Sequence, residues 1–416
     1  MRLMLTPVAA TLAAVFALPV LADSTVVDQT GTENVISTYQ GANAGRNSIA
    51  SVQNGNENSL YHSILKGVAQ RNSENVAITT EQIGNKNEAI AQQDGAKASS
   101  LNLQQKGNSN TALSLQYDST NTANDARQFG DFNQVKALQT DTSGSRLAVH
   151  QGYYNGAATM SSRNYAVATQ DTVTGGHLVL QQVGQSNSAT LGQVNSVDNY
   201  LTTQQYGNNN ELTSRQEETN GSTIQVLQGG LTELGRGADD SRVTAYQGSV
   251  GGSRMLISQS GTFGSIDASQ QEVKASAMEV TQNGDSSSVV ALQTAVTNSG
   301  VFVTQGNAKA GEVANGGFVN IKQSNGDKLG VWVNQSGDDS EALVTQTGNN
   351  QEIRIAQSGN MNQAETIQSG SNNVIAIKQV GWGGSANYAG VLQSGTGYVA
   401  SVTQVGAGNA ALVYQR

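Results

Sequence analysis

The sequence contains no cysteine, and only two of its 416 residues are proline. Disulfide bonds therefore do not stabilise the chain. Aromatic residues make up 5% and charged residues 13%, whereas about 25% of an average globular domain is charged. This composition argues against one thick hydrophobic core. It favours either disorder or a structure held by backbone hydrogen bonds and ladders of polar side chains.

Both prolines, Pro7 and Pro19, lie in an N-terminal stretch that has the features of a secretory signal peptide. A mostly apolar run follows Arg2, and small residues at Val20 and Ala22 predict cleavage after Ala22. The alternative is a membrane anchor, which a short apolar run interrupted by proline disfavours. Residues 1–22 are thus predicted to be removed, leaving a secreted chain with no proline to interrupt a β-ladder.

Acidic and basic residues are scattered along the chain, and the net charge is −9. Nucleic-acid binding needs a basic stripe, so we expect no nucleic-acid partner. The three histidines, His62, His150 and His177, are too widely spaced for a helix-borne metal pair. No nucleophile elbow, phosphate-binding loop or dinucleotide fingerprint occurs. We therefore expect no enzyme activity, no cofactor, no metal site and no small-molecule substrate.

A short repeat runs through the remaining sequence. Gln-x-Gly recurs, often with Asn five residues after the Gln and another Gln six residues later, so glutamines are mostly 11 or 12 residues apart. The clearest Gln and Asn positions are Gln105, Asn110, Gln116, Gln128, Asn133, Gln139, Gln182, Asn187, Gln193, Gln205, Asn210, Gln216, Gln346, Gln357, Asn362, Gln368, Asn373, Gln379, Gln404, Asn409 and Gln415. Glycines suited to the turns between strands are Gly107, Gly130, Gly184, Gly207, Gly348, Gly359, Gly370 and Gly406.

A unit this short holds one strand and one turn, and two units form one coil. The repeat predicts an all-β solenoid with two strands per coil and about 15 coils, hence a rod of about 70 Å. We assign residues 23–28 to a short N-terminal segment and 29–416 to the solenoid. The long glutamine-free interval near 229–240 is interpreted as a loop insertion.

Charged residues avoid the face that carries the glutamines. Side chains of a strand alternate between faces, so Ile353 and Ile355 share the face of Gln357, whereas Glu352 and Arg354 take the opposite face. A disordered Gln/Asn-rich tract has no reason to keep this pattern. The buried amides should pair with their equivalents in the next coil, because an unpaired buried amide is costly.

The phrase Gln-x-Gly-x-x-Asn-x-Ala/Val followed by Gln resembles the curlin repeat. It is nearly intact in residues 105–112 and 404–411, and the resemblance covers almost all of the mature chain. The resemblance implies a subunit of curli, extracellular bacterial amyloid fibres that serve adhesion and biofilm matrix. It also implies export through the periplasm and an outer-membrane channel with accessory proteins, and templating by a nucleator subunit at the cell surface.

The chain departs from the compact curlins, which have about five repeats and a Gly-rich leader that residues 23–27 do not resemble. The repeat begins close to the predicted cleavage site and continues to Gln415, so we expect uncapped ends that stack head to tail.

Three alternatives stay open: a monomeric adhesin or surface-binding solenoid, an enzyme on a β-helix, and a minor nucleator of the same fibre. Aromatic residues at Tyr200, Tyr246, Phe302, Trp332 and Tyr388 are expected to face outward, either as scattered surface residues or as adhesive contacts.

Overall fold

The computed structural model describes residues 23–41, 46–60, 67–154, 157–158, 161–229, 238–306, 315–382 and 384–416. The predicted signal peptide, including Ala22, lies outside the described residues, as does His62. Within the described ranges every helix or strand is a β-strand.

The first half of the chain contains strands β1 (Ser24–Thr30), β2 (Val35–Ile36), β3 (Thr38–Gln40), β4 (Ser48–Asn54), β5 (Ser59–Leu60), β6 (Val68–Arg71), β7 (Ala77–Ile83), β8 (Glu88–Asp94), β9 (Ser100–Lys106), β10 (Thr111–Tyr117), β11 (Ala123–Phe129), β12 (Gln134–Thr140), β13 (Arg146–Gln151), β14 (Tyr153–Tyr154), β15 (Ala157–Ala158), β16 (Tyr165–Thr174), β17 (His177–Gln185) and β18 (Ser188–Val197).

The remaining strands are β19 (Tyr200–Asn208), β20 (Glu211–Glu217), β21 (Thr223–Gln228), β22 (Ala238–Asp239), β23 (Arg242–Gly248), β24 (Arg254–Thr262), β25 (Ser265–Gln271), β26 (Ala277–Asn283), β27 (Ser288–Thr297), β28 (Gly300–Gln305), β29 (Phe318–Ser336), β30 (Glu341–Ser358), β31 (Asn362–Ser371), β32 (Val374–Val380), β33 (Asn387–Thr396), β34 (Val399–Val405) and β35 (Ala410–Gln415).

The strands form a parallel β-solenoid with two strands in each coil. Each strand pairs with the strand one coil away, so β7, β9, β11 and β13 stack on one side and β8, β10, β12 and β16 on the other. We call the two stacks the first sheet and the second sheet. β29 and β30 run through a corner and contribute to both sheets. The short β14–β15 hairpin is antiparallel and lies outside the stack.

The described residues form sixteen coils, one more than the sequence estimate of about 15. Glutamine stands on glutamine in successive coils, although equivalent glutamines are separated by 22 residues in some coils and by 31 in others. Extra residues are therefore accommodated between strands without a change of register. In the interval near 229–240, β22 already pairs with Gly207 and Asn208, and residues 230–237 lie outside the described residues.

The core is a thin layer between the two sheets. Inward positions alternate with outward ones, as in β20, where Leu212, Ser214 and Gln216 are buried and Glu211, Thr213 and Arg215 are exposed. About half of the buried residues are apolar, mostly Ala, Val, Leu and Ile, and those between the two sheets form two clusters. The two clusters are separated where the buried polar residues Ser114 and Asn124 take aliphatic positions. Since few bulky side chains fit this narrow interior, the low aromatic content follows from the fold.

The two corners of each coil differ in length. After a first-sheet strand without an insertion, the next inward residue comes five positions after the glutamine, as Asn110 follows Gln105. After a second-sheet strand it usually comes six positions later, as Thr122 follows Gln116. The longer corner also encloses a buried residue three positions after the glutamine, as Ser119 follows Gln116. In later coils this column is apolar at Val250, Val273 and Val296, which cluster with Leu329.

The alternation predicts that neighbouring positions respond very differently to the same substitution. Ile224→Asp places a carboxylate in the dry layer, and we expect it to destabilise the protein by about 4 kcal/mol or more. Gln225→Asp changes an exposed neighbour and should alter stability by about 0.5 kcal/mol or less. Guanidinium unfolding followed by circular dichroism measures both. Equal losses from the two variants would contradict the facing of this strand.

Candidate functional site: amide ladders and terminal coils

Two continuous ladders of glutamine side chains run along the whole solenoid. The first ladder lies on the first sheet and consists of Gln29, Gln53, Gln82, Gln105, Gln128, Gln151, Gln182, Gln205, Gln228, Gln259, Gln282, Gln305, Gln335, Gln357, Gln379 and Gln404. The second ladder lies on the second sheet and consists of Gln40, Gln70, Gln93, Gln116, Gln139, Gln170, Gln193, Gln216, Gln247, Gln270, Gln293, Gln323, Gln346, Gln368, Gln393 and Gln415.

Every link in both ladders has the same direction. The Nε2 of each glutamine donates to the Oε1 of the glutamine in the following coil, at 2.6 Å in the shortest link and 3.2 Å in the longest. The ladders contain every glutamine of the repeat that the sequence singled out. Most of them are fully buried, whereas in the terminal coils Gln29 is exposed and Gln40 and Gln415 are half-buried.

The ladder amides also connect the two sheets. The second Nε2 hydrogen of Gln105 lies toward the carbonyl oxygen of Glu88, in the facing sheet, at 3.0 Å. Gln116 contacts the carbonyl of Ser100 in the same way at 3.1 Å. A buried amide gains stability only when its polar atoms have partners. These glutamines therefore stabilise the axial stacking and the contact between the sheets together.

Asparagines form a third column at the shorter corner. Asn110 Oδ1 accepts a hydrogen bond from the backbone N–H of Asn133 in the next coil at 3.0 Å. Asn110 Nδ2 donates to the carbonyl of Gly130 at 2.7 Å. The predicted residues in this column are Asn110, Asn133, Asn187, Asn210, Asn362 and Asn409.

Asn373 lies at the other corner, where its Nδ2 donates to the carbonyl of Gly395 at 3.0 Å. From the sequence, every half-coil is expected to have the same kind of corner. In the last coils the second corner shortens to the spacing of the first, and Asn373 takes the place that hydroxyl residues such as Thr122 occupy in earlier coils.

Glycines line the same corners because the coils approach closely there. Gly107 has φ 127°, and a Cβ atom at this position would lie 2.0 Å from the carbonyl oxygen of Gly130 in the next coil. The same conflict applies to Gly130, Gly184, Gly207 and Gly359 at the first corner and to Gly348 and Gly370 at the second. Gly406 in the last coil has φ 110° but no backbone atom from another coil within 4 Å.

The first and last coils each pair with the solenoid on one side only, within the residues that the structure describes. β1, β2 and β3 pair with β4, β5 and β6, and β34 and β35 pair with β32 and β33. An edge strand of this kind presents unpaired backbone groups that can align another strand. Both terminal coils also expose large apolar side chains, among them Val26 (61%), Val35 (49%), Val399 (66%), Leu412 (61%) and Tyr414 (66%).

The two end surfaces are chemically complementary. Because all ladder links share one direction, the first coil presents the Oε1 acceptors of Gln29 and Gln40 to its outer side. The last coil presents the Nε2 ends of Gln404 and Gln415, since both side chains accept from the preceding coil through Oε1. Gln40 Oε1 accepts from the hydroxyl of Thr25 at 2.9 Å, which covers one acceptor at this end.

The outer faces of the sheets carry paired charges. Asp125 lies between Arg127, whose Nε donates to it at 3.0 Å, and His150 in the next coil, whose Nε2 lies 3.1 Å from Oδ2. Burial raises the pKa of the Asp125 carboxyl. Hydrogen bonds and positive charge from His150 and Arg127 lower it by more, so the resulting pKa is about 2, below the ordinary value of an aspartate. The side chain therefore stays ionised at any moderately acidic pH.

The outward aromatic residues are less scattered than the sequence suggested. His177 and Tyr200 stack with ring centroids 5.0 Å apart, and Phe302 and Trp332 stack at 5.6 Å. Each pair joins neighbouring coils. These ring pairs can be predicted only when the residues of neighbouring coils are aligned. That alignment requires the lengths of both corners, which the sequence alone does not show.

No family model and no curated protein matched the chain. Among the described residues, no group of three or more His, Cys, Asp and Glu side chains is arranged to hold a metal ion. In the same part of the chain, no helix has the length and apolar character needed to cross a membrane.

The ladders predict a large penalty for removing one rung. Gln205→Leu leaves the donor of Gln182 and the acceptor of Gln228 without their ladder partner, and we expect a loss of about 3 kcal/mol. The matched change Gln204→Leu, on the outer face, removes one partly buried hydrogen bond and should cost about 1 kcal/mol. Urea unfolding of both variants tests this difference, which disappears if the ladder does not contribute to stability.

The glycine column predicts a steric penalty that can be separated from backbone strain. Gly107→Ala combines strain with a collision against Gly130 and should prevent normal stacking of these coils. Gly221 has φ 58° and no atom within 4 Å of a Cβ, so Gly221→Ala should cost only about 1–2 kcal/mol. Thermal unfolding and amide hydrogen exchange compare the two. A Gly107 variant no less stable than the Gly221 variant would contradict the close approach.

Proposed function

We propose that this chain is the structural subunit of an extracellular curli-like amyloid fibre that grows by head-to-tail stacking of solenoid ends. The observation that carries the proposal is that two amide ladders of uniform direction reach both terminal coils. A second copy placed on the last coil continues both ladders with the same donors and acceptors. The contact is heterologous and does not close on itself, so it generates filaments.

Alignment of the ladders gives a single register for the whole junction. With Gln29 of one copy on Gln404 of the next, all other repeat positions of the two coils coincide at the same offset. The coinciding pairs are Gln40 with Gln415, Asn34 with Asn409, and Gly31 with Gly406. In this arrangement Asn409 Oδ1 accepts the backbone N–H of Asn34, as Asn110 accepts from Asn133 within the chain.

The same register joins two exposed tyrosines. Tyr39 of one copy falls beside Tyr414 of the other, and Arg71 Cζ already lies 5.5 Å from the Tyr39 ring centroid on the solenoid side. Burial of these rings adds apolar area to the junction, and aromatic pairs contribute about 0.5–1.5 kcal/mol beyond it. Glycine at Gly31 and Gly406 leaves room for the backbones to approach as closely as in the internal coils.

The biological role follows from the fibre and from the resemblance to curlin repeats. We infer that the chain is secreted, that its main partner is itself, and that the fibres serve adhesion and biofilm matrix at the bacterial surface. A nucleator subunit and an outer-membrane channel with accessory proteins are the further partners that this assignment implies. A monomeric secreted adhesin with the same fold is the main competing function, and a minor nucleator is the second.

A pair of introduced cysteines tests both assembly and register. Asp28 and Thr403 are exposed, face outward and coincide in the proposed junction, and the chain contains no cysteine of its own. Within one copy they are about 70 Å apart, so a disulfide forms only between copies. We expect Asp28→Cys/Thr403→Cys to give a ladder of covalent multimers on a non-reducing gel after mild oxidation, and fibres by electron microscopy.

The matched control moves one cysteine by two residues, in Asp28→Cys/Ser401→Cys. This pair lies beyond the Cα separation of about 7 Å that a disulfide spans, so we expect few multimers. Multimers from this control, with none from the first pair, would disprove the proposed register but would still support assembly into a fibre. A protein that stays monomeric for days at micromolar concentration, without thioflavin fluorescence, would disprove the fibre and favour the adhesin.

A further inference from the structure

An aromatic ridge crosses three coils on the outer face of the first sheet. Phe302, Trp332 and Arg354 occupy equivalent positions in successive coils. The two rings stack with an interplanar angle of 11°, and Arg354 Cζ lies 5.3 Å from the Trp332 ring centroid. This stack fixes all three side chains before any ligand arrives, since stacked planar groups lose little further freedom on binding.

Two glycines allow the rings to lie along their own strands. A Cβ at Gly300 would lie 2.6 Å from Cε2 of Phe302, and a Cβ at Gly330 would lie 2.5 Å from Cη2 of Trp332. Both glycines have ordinary backbone angles within strands, so conformation does not require them. Their absent side chains leave room for the ridge.

A groove of about 590 Å³ runs along the solenoid axis beside this ridge. In the coils after Arg354, the ridge position is occupied by the small residues Ala376 and Ser401. The small side chain of Ala356 leaves further space in the neighbouring row of outward-facing residues. The groove spans five coils from Phe302 to Ser401, which is about 19 Å at the strand spacing of a sheet. Its long shape along the axis suits a segment of a linear polymer.

The charge of the groove is opposite to that of the chain. Arg354 and Lys378 line it, and none of its lining residues is acidic, whereas the whole chain has a net charge of −9. Glu352 forms an ion pair with Arg354 from the other side of the ridge, and Glu279 occupies the ridge position one coil before Phe302. The remaining polar groups are hydroxyl and amide side chains at Thr304, Asn334, Ser401 and Thr403.

We propose that this groove binds a linear polysaccharide that carries carboxylate groups, such as a polyuronate. Arg354 and Lys378 pair with successive carboxylates, the hydroxyl and amide side chains bind sugar hydroxyls, and the ridge forms an apolar wall. Double-stranded DNA is disfavoured because it carries one negative charge per about 1.7 Å, far more than two cations match. The groove lies on the side of the rod, so this inference does not depend on head-to-tail assembly.

Tryptophan fluorescence provides a direct assay. The chain has two tryptophans, and Trp382 is an exposed corner residue, so Trp382→Phe leaves Trp332 in the ridge as the single reporter. Titration of this protein with a galacturonate hexamer should change the Trp332 emission in a saturable way. Binding should weaken as salt is raised from 0.05 M to 0.5 M, because charge pairs at the surface are screened.

Charge reversals on two faces test the site. In the same background, Lys378→Glu should weaken binding about tenfold or more, whereas Lys136→Glu, an equal charge change on the outer face of the second sheet, should not weaken it. Equal affinity for a neutral glucose hexamer, equal effects of the two reversals, or tighter binding of a DNA duplex would each overturn the proposal. A lack of any emission change, confirmed by a lack of heat in calorimetry, would overturn it as well.

Discussion

The axial hydrogen bond between equivalent glutamine side chains is the constraint on which the rest of the structure depends. It requires glutamine to stand on glutamine in each coil, whatever length of chain lies between them. The register of both sheets follows, since a shift by one residue would expose the aliphatic layer and bury charge. The fold therefore tolerates inserted segments between strands but not substitutions within the ladder. A thin core with few aromatic residues is sufficient because each coil is stabilised by the coils beside it.

The corners between the strands show which residue types this constraint requires. Positive φ and close approach of the next coil both require glycine at Gly107 and its equivalents. The Asn110 side chain satisfies backbone groups that no strand partner reaches. In most coils the second corner uses hydroxyl or aliphatic residues such as Thr122 and Val250 instead, and its looser requirements explain why its sequence is less regular. The same alternation that makes the interior uniform leaves the outer positions variable, so local features such as the Trp332 ridge arise without disturbing the stack.

Much of the fold could be predicted because the repeat is locked to a period-2 pattern. The facing of Ile353 and Ile355, and the solenoid class, follow from which positions exclude charge. The different lengths of the two corners could not be predicted, because Gln105 and Gln116 have similar neighbours and only the stacked coils show which positions beyond them turn inward. The stacking of Phe302 on Trp332 could not be predicted either. The two residues are 30 positions apart because an insertion lies between their strands, and without its length they cannot be aligned.

The uniform direction of the ladder hydrogen bonds has an electrical consequence. In a β-sheet the backbone dipoles alternate and largely cancel, but here every ladder amide points the same way along the rod. Their dipoles add, so the ladders contribute a permanent axial moment with its positive pole at the last coil. Copies that approach end to end in opposite orientations meet like poles and mismatched amides, whereas parallel copies attract. Any stack of these rods is thus a polar object from one end to the other, and an applied electric field should orient it.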